Sequence, residues 1–482
     1  MLEVEVLLLS AHPVYLDRLH VRHLKLLRDF RLDFTGADGE PRKWTVIIGR
    51  NGTAKTSILQ AIALAAAGAR QVGVLAKPII GHLVDRRANA PLVIDAVFRF
   101  TKRSSDESFH PMLGRELAAD ERLESLLQLR RKQTTFVGSS FYLGARDGAL
   151  TLASSGSVRG MSFDPLDEAR ADNRPLWFVA GYGVGRFLPD PSLSPQLVQP
   201  SIERLEPLFR NTTTLTSLRF LDHLPPAKAR AFTRTLRNAL TKVKELVPDL
   251  VDIELKGPGG VSKAGTLIDK DRFKLRVGEH EHKFPAVALS HGYQSTLAWI
   301  ADLIGHVMLE ADDLIEADDI EGLVLIDEID LYLHPTWQAA LVPALRETFP
   351  KLQFVATTHS PVVLSSLTPD EIVVVDQHPV TGDVERFVHD PETGRLAPER
   401  EVAAPARAPD PRAMTGTDVY RAWFGLDRLT LNPHGERLRA YLQLATDPFR
   451  TDEEHAELLA LEHALEEENV ELPRQPVPRE PS

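Results

Sequence analysis

Trp44-Thr45-Val46-Ile47-Ile48-Gly49-Arg50-Asn51-Gly52-Thr53-Ala54-Lys55-Thr56-Ser57 decides the fold. The apolar run from Trp44 to Ile48 has the length and β-branched content of a strand buried on both faces. Ser57 to Ala67, with Ile58, Leu59, Ile62 and Leu64 as packing residues, reads as a helix. In a strand–loop–helix setting, backbone N–H groups surround phosphates, a lysine neutralises them, and a hydroxyl ligates Mg²⁺. Gly49, Arg50, Asn51, Gly52, Thr53, Ala54, Lys55, Thr56 and Ser57 are therefore candidate ATP-binding residues, and Thr56 is also a candidate metal ligand. One position departs from the pattern: Ala54 stands where glycine is expected, and its methyl could crowd the nucleotide.

The rest of the chain bounds the answer. At 482 residues it has room for two or three domains, or for one large domain with insertions. Hydrophobic residues at 43% and charged residues at 26% are enough to build a full core. A net charge of −12 argues against a surface that coats nucleic acid, so any DNA contact must be local. The absence of cysteine removes disulfides and thiolate metal sites and fits a reducing compartment. No basic leader precedes the first apolar stretch, and no run reaches bilayer length, so a cytoplasmic protein without membrane contact is expected.

In chain order, residues 1–17 read as a leader of no clear role, and Leu19 to Phe34 as two antiparallel strands feeding the P-loop strand. Leu92 to Phe100 alternates as a half-buried strand, Glu116 to Lys132 reads as a helix, and Pro175 to Arg186 as a strand ending in a glycine-rich turn. Residues 201–247 read as helical, with Phe232, Leu236, Leu240, Val243 and Val247 on one face and Arg230, Arg234, Arg237 and Lys244 on the other. That basic face is either solvated or a track for nucleic-acid phosphates. Strands are expected at Val251 to Leu255, Arg272 to Val277 and Phe284 to Val287. Leu323-Val-Leu-Ile326-Asp327-Glu328 reads as a Walker B strand that delivers two carboxylates to its C-terminal end. Asp327 would hold Mg²⁺ and Glu328 would polarise the attacking water as general base. A further strand, Leu352 to Thr357, ends in Thr358-His359-Ser360-Pro361, and Glu371 to Val375 reads as the last strand of this domain.

Ahead of the Walker B strand, Leu289-Ser290-His291-Gly292-Tyr293-Gln294-Ser295 resembles the Leu-Ser-x-Gly-x-Gln signature of ABC-type ATPases. With the P-loop and Walker B strand, the motif set resembles ABC-headed, AAA-family ATPases of the RecF, SMC and OLD class over roughly residues 19–380. The resemblance implies that Ser290, Gly292 and Gln294 close over ATP held by a second subunit. It also implies that Asp330 contacts the partner and that His359 bonds the γ-phosphate. For Tyr182 and Arg186 it suggests a γ-phosphate-sensing loop, while a plain strand-to-loop turn explains them equally well. The expected fold class is α/β: an ABC-type P-loop NTPase head, with a mixed sheet and an antiparallel β subdomain.

Expected domains are a head over 1–390 with a helical insertion at about 191–250, a Pro/Ala-rich linker over 391–415, and a helical region over 416–482. The last region carries helices at about 433–446 and 451–469, a Thr451/Glu454 capping box, and a disordered tail from Pro473. Trp423 and Phe424 either dock a partner or pack on the head. The compact architecture is similar to the ATPase subunit of Septu anti-phage systems. That implies a head-to-tail homodimer or higher oligomer around ATP and Mg²⁺ that gates a partner nuclease. Two other readings stand beside it: a RecF-like DNA-binding ATPase of repair or recombination, and a nucleotide-bound scaffold that never turns over.

Overall fold

The computed structural model describes residues 15–100, 109–110, 115–116, 122–130, 132–146, 149–154, 157–158, 161–162, 164, 166, 179–189, 197–243, 246–255, 271–310, 315–426, 433–468, 470 and 472. The expectations for residues 1–14, for Lys244 and for the tail from Pro473 lie outside them. The chain divides into two compact units, 1–414 and 415–482.

The first unit opens with a hairpin, β1 (Tyr15–Leu24) and β2 (Leu27–Asp33), then enters β3 (Trp44–Ile48) and turns through the P-loop into α1 (Lys55–Ala76). β3 is buried at all five positions, and Trp44 stacks on Phe354 with ring centroids 4.4 Å apart. The chain next builds β4 (Leu92–Arg99), β5 (Arg122–Leu129), β6 (Val137–Arg146) and β7 (Ala149–Ser154) before β8 (Val179–Tyr182). An insertion follows: α2 (Pro226–Lys242), then β9 (Leu250–Glu254), β10 (Arg272–Val277) and β11 (His280–Phe284). α3 (His291–Glu310), β12 (Gly322–Ile326), α4 (Pro335–Thr348), β13 (Leu352–Thr357), β14 (Ile372–Gln377), β15 (Val384–His389) and β16 (Leu396–Pro398) complete the unit.

Two sheets carry the core. The first is antiparallel, in order β2-β1-β4-β5-β6-β7. The second runs β8-β12-β13-β3-β14-β15-β16, parallel from β8 to β14 and antiparallel beyond. α1 packs against both, and its apolar residues Ile58 to Ala67 lie in one continuous core. This is the α/β P-loop NTPase fold with a mixed sheet and an antiparallel β subdomain.

Several local expectations are corrected. Residues 122–129 form a strand instead of part of a helix, and β1 already begins at Tyr15 within the expected leader. The expected helix over 201–247 is broken into the short Pro200–Glu203 turn, 3₁₀ turns and α2, because Pro207 and Pro225 interrupt it. The third strand of the insertion is β11, ended by Pro285, and residues 286–288 form a 3₁₀ turn. β14 is not the last strand: β15 and β16 extend the sheet, and β16 takes part of the stretch read as linker. α1 is long and apolar enough to cross a membrane by length and composition, contrary to expectation, but most of it is buried core.

The second unit holds α5 (Gly416–Phe424), α6 (Pro433–Ala445) and α7 (Asp452–Glu467). Tyr441, Ala445, Leu458 and Leu465 form its core, and the Thr451/Glu454 capping box starts α7. Val419 and Trp423 are buried, and Phe424 is half-buried.

Candidate nucleotide site

The P-loop closes on itself through Lys55. Its ammonium donates to the carbonyls of Gly49 and Arg50, each at 2.9 Å, and burial lowers its pKa, against the pull of Asp327, Glu328 and Asp376. Gly49 has no alternative residue, since a Cβ there would lie 2.0 Å from the Val375 carbonyl oxygen. Ala54 adopts left-handed φ 58°, ψ 19° immediately before α1, a conformation that glycine takes without strain. Arg50 reaches outward and donates from Nε to both oxygens of Asp376 at 2.9 Å.

The Walker B strand lies one strand away from the P-loop strand, with β13 between them. This order brings three distant segments together at the C-terminal edge of the parallel strands. Thr56 Oγ1 donates to one oxygen of Asp327 at 2.7 Å, and Thr357 Oγ1 donates to the other at 2.6 Å. Thr357 also accepts from the Glu328 backbone N–H at 2.8 Å. Glu328 stands at left-handed φ 48°. A hydroxyl and a carboxylate converging beside a lysine are the hard oxygen donors that suit Mg²⁺ shared with phosphate, and in this respect Thr56 and Asp327 fit the ion.

His359 follows β13. Burial and the nearby Lys55 ammonium lower its pKa, against the pull of Glu328, Asp330 and Asp327, so its imidazole is neutral at neutral pH. Asp330 is half-buried and accepts a short hydrogen bond from Thr358 Oγ1 within its own chain.

The signature residues divide by exposure. Ser290 is exposed at the start of α3, while Gly292 is buried where a Cβ would meet the Tyr332 carbonyl oxygen at 2.8 Å. Gln294 turns back to the Leu289 carbonyl at 2.7 Å. Among the described residues, no hydrogen bond joins these three to the P-loop of the same chain.

Tyr182 does not face the phosphate site: its side chain is fully buried and its hydroxyl donates to Asp302 of α3 at 3.3 Å. Arg186 also turns inward, onto backbone carbonyls of the Walker B turn. Three contacts were missed from the sequence. Thr357 is legible only as part of a Thr-Thr-His strand end. Lys25, at φ 50° in the hairpin turn, donates to Ser57 Oγ at 2.8 Å and has no motif to mark it. The Arg186 contact has only its glycine-rich approach as a signal.

The protein-family profile described as "AAA domain, putative AbiEii toxin, Type IV TA system" matches residues 180–365. "Septu protein PtuA" of Bacillus mycoides is 27% identical over 365 residues, 75% of this chain and 40% of that protein. "Retron Ec83 probable ATPase" of Escherichia coli is 39% identical over 106 residues, 22% of this chain and 18% of that protein. The chain thus spans two fifths or less of the length of these relatives. Among solved structures, an SMC head bound to the C-terminal winged-helix domain of ScpA superposes with a TM-score of 0.45 at 14% identity, covering 80% of this chain and 99% of that one. By its motifs and its sheet order the chain has the α/β P-loop NTPase fold, and the proteins it is similar to in sequence include Septu protein PtuA and a retron probable ATPase.

Proposed function

We propose that the chain binds and hydrolyses ATP with Mg²⁺, that two copies pair head to tail around the nucleotide, and that nucleotide state gates a partner nuclease in cytoplasmic anti-phage defence. The observation that carries the ATPase reading is the Thr56–Asp327 contact of 2.7 Å, with Lys55 and Glu328 beside it. The names of the Septu and retron relatives support the defence role.

Lys55 would exchange its two carbonyl partners for phosphate oxygens, so the loop is closed before binding and opens onto its ligand. Thr56 and Asp327 would hold Mg²⁺, which supplies charge neutralisation at the phosphates when bound. Glu328, its backbone fixed by Thr357, would orient and deprotonate the attacking water. Neutral His359 can donate a hydrogen bond to a γ-phosphate oxygen without changing protonation state. Exposed Ser290 is free to meet a nucleotide held by another copy, whereas buried Gly292 has a packing role within its own chain. Contacts made only when the γ-phosphate is present would bias a two-state assembly.

Light scattering with ATP and Mg²⁺, alongside phosphate release, tests this for the wild type and Glu328→Gln. The expected outcome is a larger ATP-dependent mass for both proteins, with release falling to a small but measurable residual rate only in the variant. A mass that ignores ATP, with no release from either, would establish the scaffold reading instead.

A further inference from the structure

Arg186 is a charged side chain sealed beside the Walker B turn, 2% exposed, and nothing in the reading above uses it. It is aimed by glycines. A Cβ on Gly183 would lie 2.3 Å from the Pro207 carbonyl oxygen, and one on Gly185 would lie 2.3 Å from that of Asn211. Only a glycine–x–glycine approach lets the chain after β8 pass beneath residues 207–211 and turn its next side chain inward. The guanidinium then donates from Nη1 to the Gly183 carbonyl at 3.0 Å and, through a short bond, to that of Asp327. From Nη2 it donates to the Glu328 carbonyl at 2.8 Å.

The turn it grips is held from three sides. The Asp327 N–H donates to the Tyr182 carbonyl at 2.8 Å, the Glu328 N–H is fixed by Thr357, and the Ile329 N–H donates to the Thr357 carbonyl at 2.9 Å. Arg186 supplies the remaining grip, on the two carbonyls. Glu328 sits at φ 48°, a region that a residue with a side chain visits only when its surroundings impose it. A planar fork donating to successive carbonyls imposes it more fully than a point ammonium, which can hold only part of that pair. Because the guanidinium is enclosed and turned to carbonyls, it is not a phosphate contact.

We infer that Arg186 is a positioning residue that holds the Asp327–Glu328 turn so that the Glu328 carboxylate points at the attacking water. This rests on the ATPase reading proposed above. Burial lowers the pKa of the guanidinium to about 10, against the pull of Asp327, Asp330 and Glu328, so it stays charged at neutral pH.

The test uses the full chain with Arg186→Gln, Arg186→Lys, Glu328→Gln and the double variant Arg186→Gln/Glu328→Gln. It reads kcat and KM for phosphate release, together with affinity for a fluorescent ATP analogue. The expected result for Arg186→Gln is a fall in kcat of about 100-fold, the scale of a misplaced catalytic group, with KM and nucleotide affinity within about threefold. Arg186→Lys should recover part of kcat, and the double variant should fall no further than Glu328→Gln alone, because the two act as a unit. If Arg186→Gln does not fold, Arg186→Lys carries the same kcat and KM comparison, with a selective fall in kcat expected. A wild type that releases no phosphate sinks the ATPase reading and this inference with it. A wild type that turns over, paired with an unchanged kcat in the variants, a loss shared equally by binding, or losses that add to that of Glu328→Gln, overturns the inference alone.

Discussion

Ala54 carries the one departure from the P-loop pattern, and the structure turns it into a measurable quantity. A non-glycine residue in the left-handed region bears about 1–2 kcal/mol of strain. Ala54→Gly removes that strain but loosens the unfolded chain by about 0.4–1 kcal/mol, and it gives up a methyl packed at the edge of the core. These terms nearly cancel, so the expected change in stability is under about 1 kcal/mol, read as a denaturant midpoint close to that of the wild type. Ala54→Val puts a β-branched side chain where φ is 58°, and should lose about 2–3 kcal/mol. A valine variant as stable as the wild type would mean that the turn relaxes out of the left-handed region. Most of the P-loop was legible from residue types alone, because the chemistry of phosphate binding dictates them. The backbone angle that makes alanine costly was not legible, since it follows from where β3 and α1 are held by the rest of the fold.

At the scale of elements, the instructive misreading is β5. Arg122-Leu-Glu-Ser-Leu-Leu-Gln-Leu129 places Leu123, Leu126 and Leu127 at helical spacing, and leucine is a good helix former. Burial instead alternates through Leu123, Ser125, Leu127 and Leu129. Pairing with β4 in the register Leu92 to Leu129 decides the matter, and the Ser125 hydroxyl donates to the Ala65 carbonyl of α1 at 2.8 Å. Non-local pairing overrode local propensity, and no single segment records such pairing. α3 was legible by contrast, because its apolar residues keep helical spacing over five turns. What its sequence did not reveal is the polar cluster on its buried side. Asp302 accepts from the Ser217 N–H at 3.0 Å and from the Tyr182 hydroxyl, and His306 lies 3.6 Å away. Burial raises Asp302 to about 6, against the pull of its hydrogen bonds, while burial and Arg204 push His306 well below its ordinary value. The signs oppose. The raised Asp302 pKa favours folding below the unfolded carboxylate pKa, and that contribution is lost as pH rises through about 6. The depressed His306 pKa favours folding above 6.5, and that contribution is lost as pH falls below it. Phenylalanine fills the imidazole space against Phe220 and removes a buried nitrogen that has no partner. His306→Phe should therefore remove the acid-side loss: its melting temperature should fall less between pH 7 and pH 5 than that of the wild type. An equal or steeper fall would place the acid sensitivity elsewhere.

At the scale of the whole molecule, the distribution of charge bears on the choice between the proposed partner gating and DNA binding. A net charge of −12 leaves a nucleic-acid reading dependent on the basic face of α2. On that face the structure pairs Arg237 with Asp252 at 2.6 Å and Arg234 with Glu316 at 3.3 Å, both contacts outside the helix itself. These arginines tie α2 to β9 and to the segment ahead of the Walker B strand. Such exposed pairs contribute at most about 1 kcal/mol each to stability, but a guanidinium beside a carboxylate is a poor counterion for phosphate, since a DNA strand must first displace its partner. Charge reversal in Arg230→Glu/Arg234→Glu/Arg237→Glu should therefore leave the affinity for duplex DNA, and the slope of that affinity against salt, unchanged. The measurement is fluorescence anisotropy with a labelled duplex at several salt concentrations, with and without ATP and Mg²⁺. A phosphate track would respond otherwise: losing three contacts would flatten the logarithmic slope by about 3 and weaken binding at low salt by orders of magnitude. That result would restore the RecF-like reading and move the search for a partner from a protein to a DNA structure.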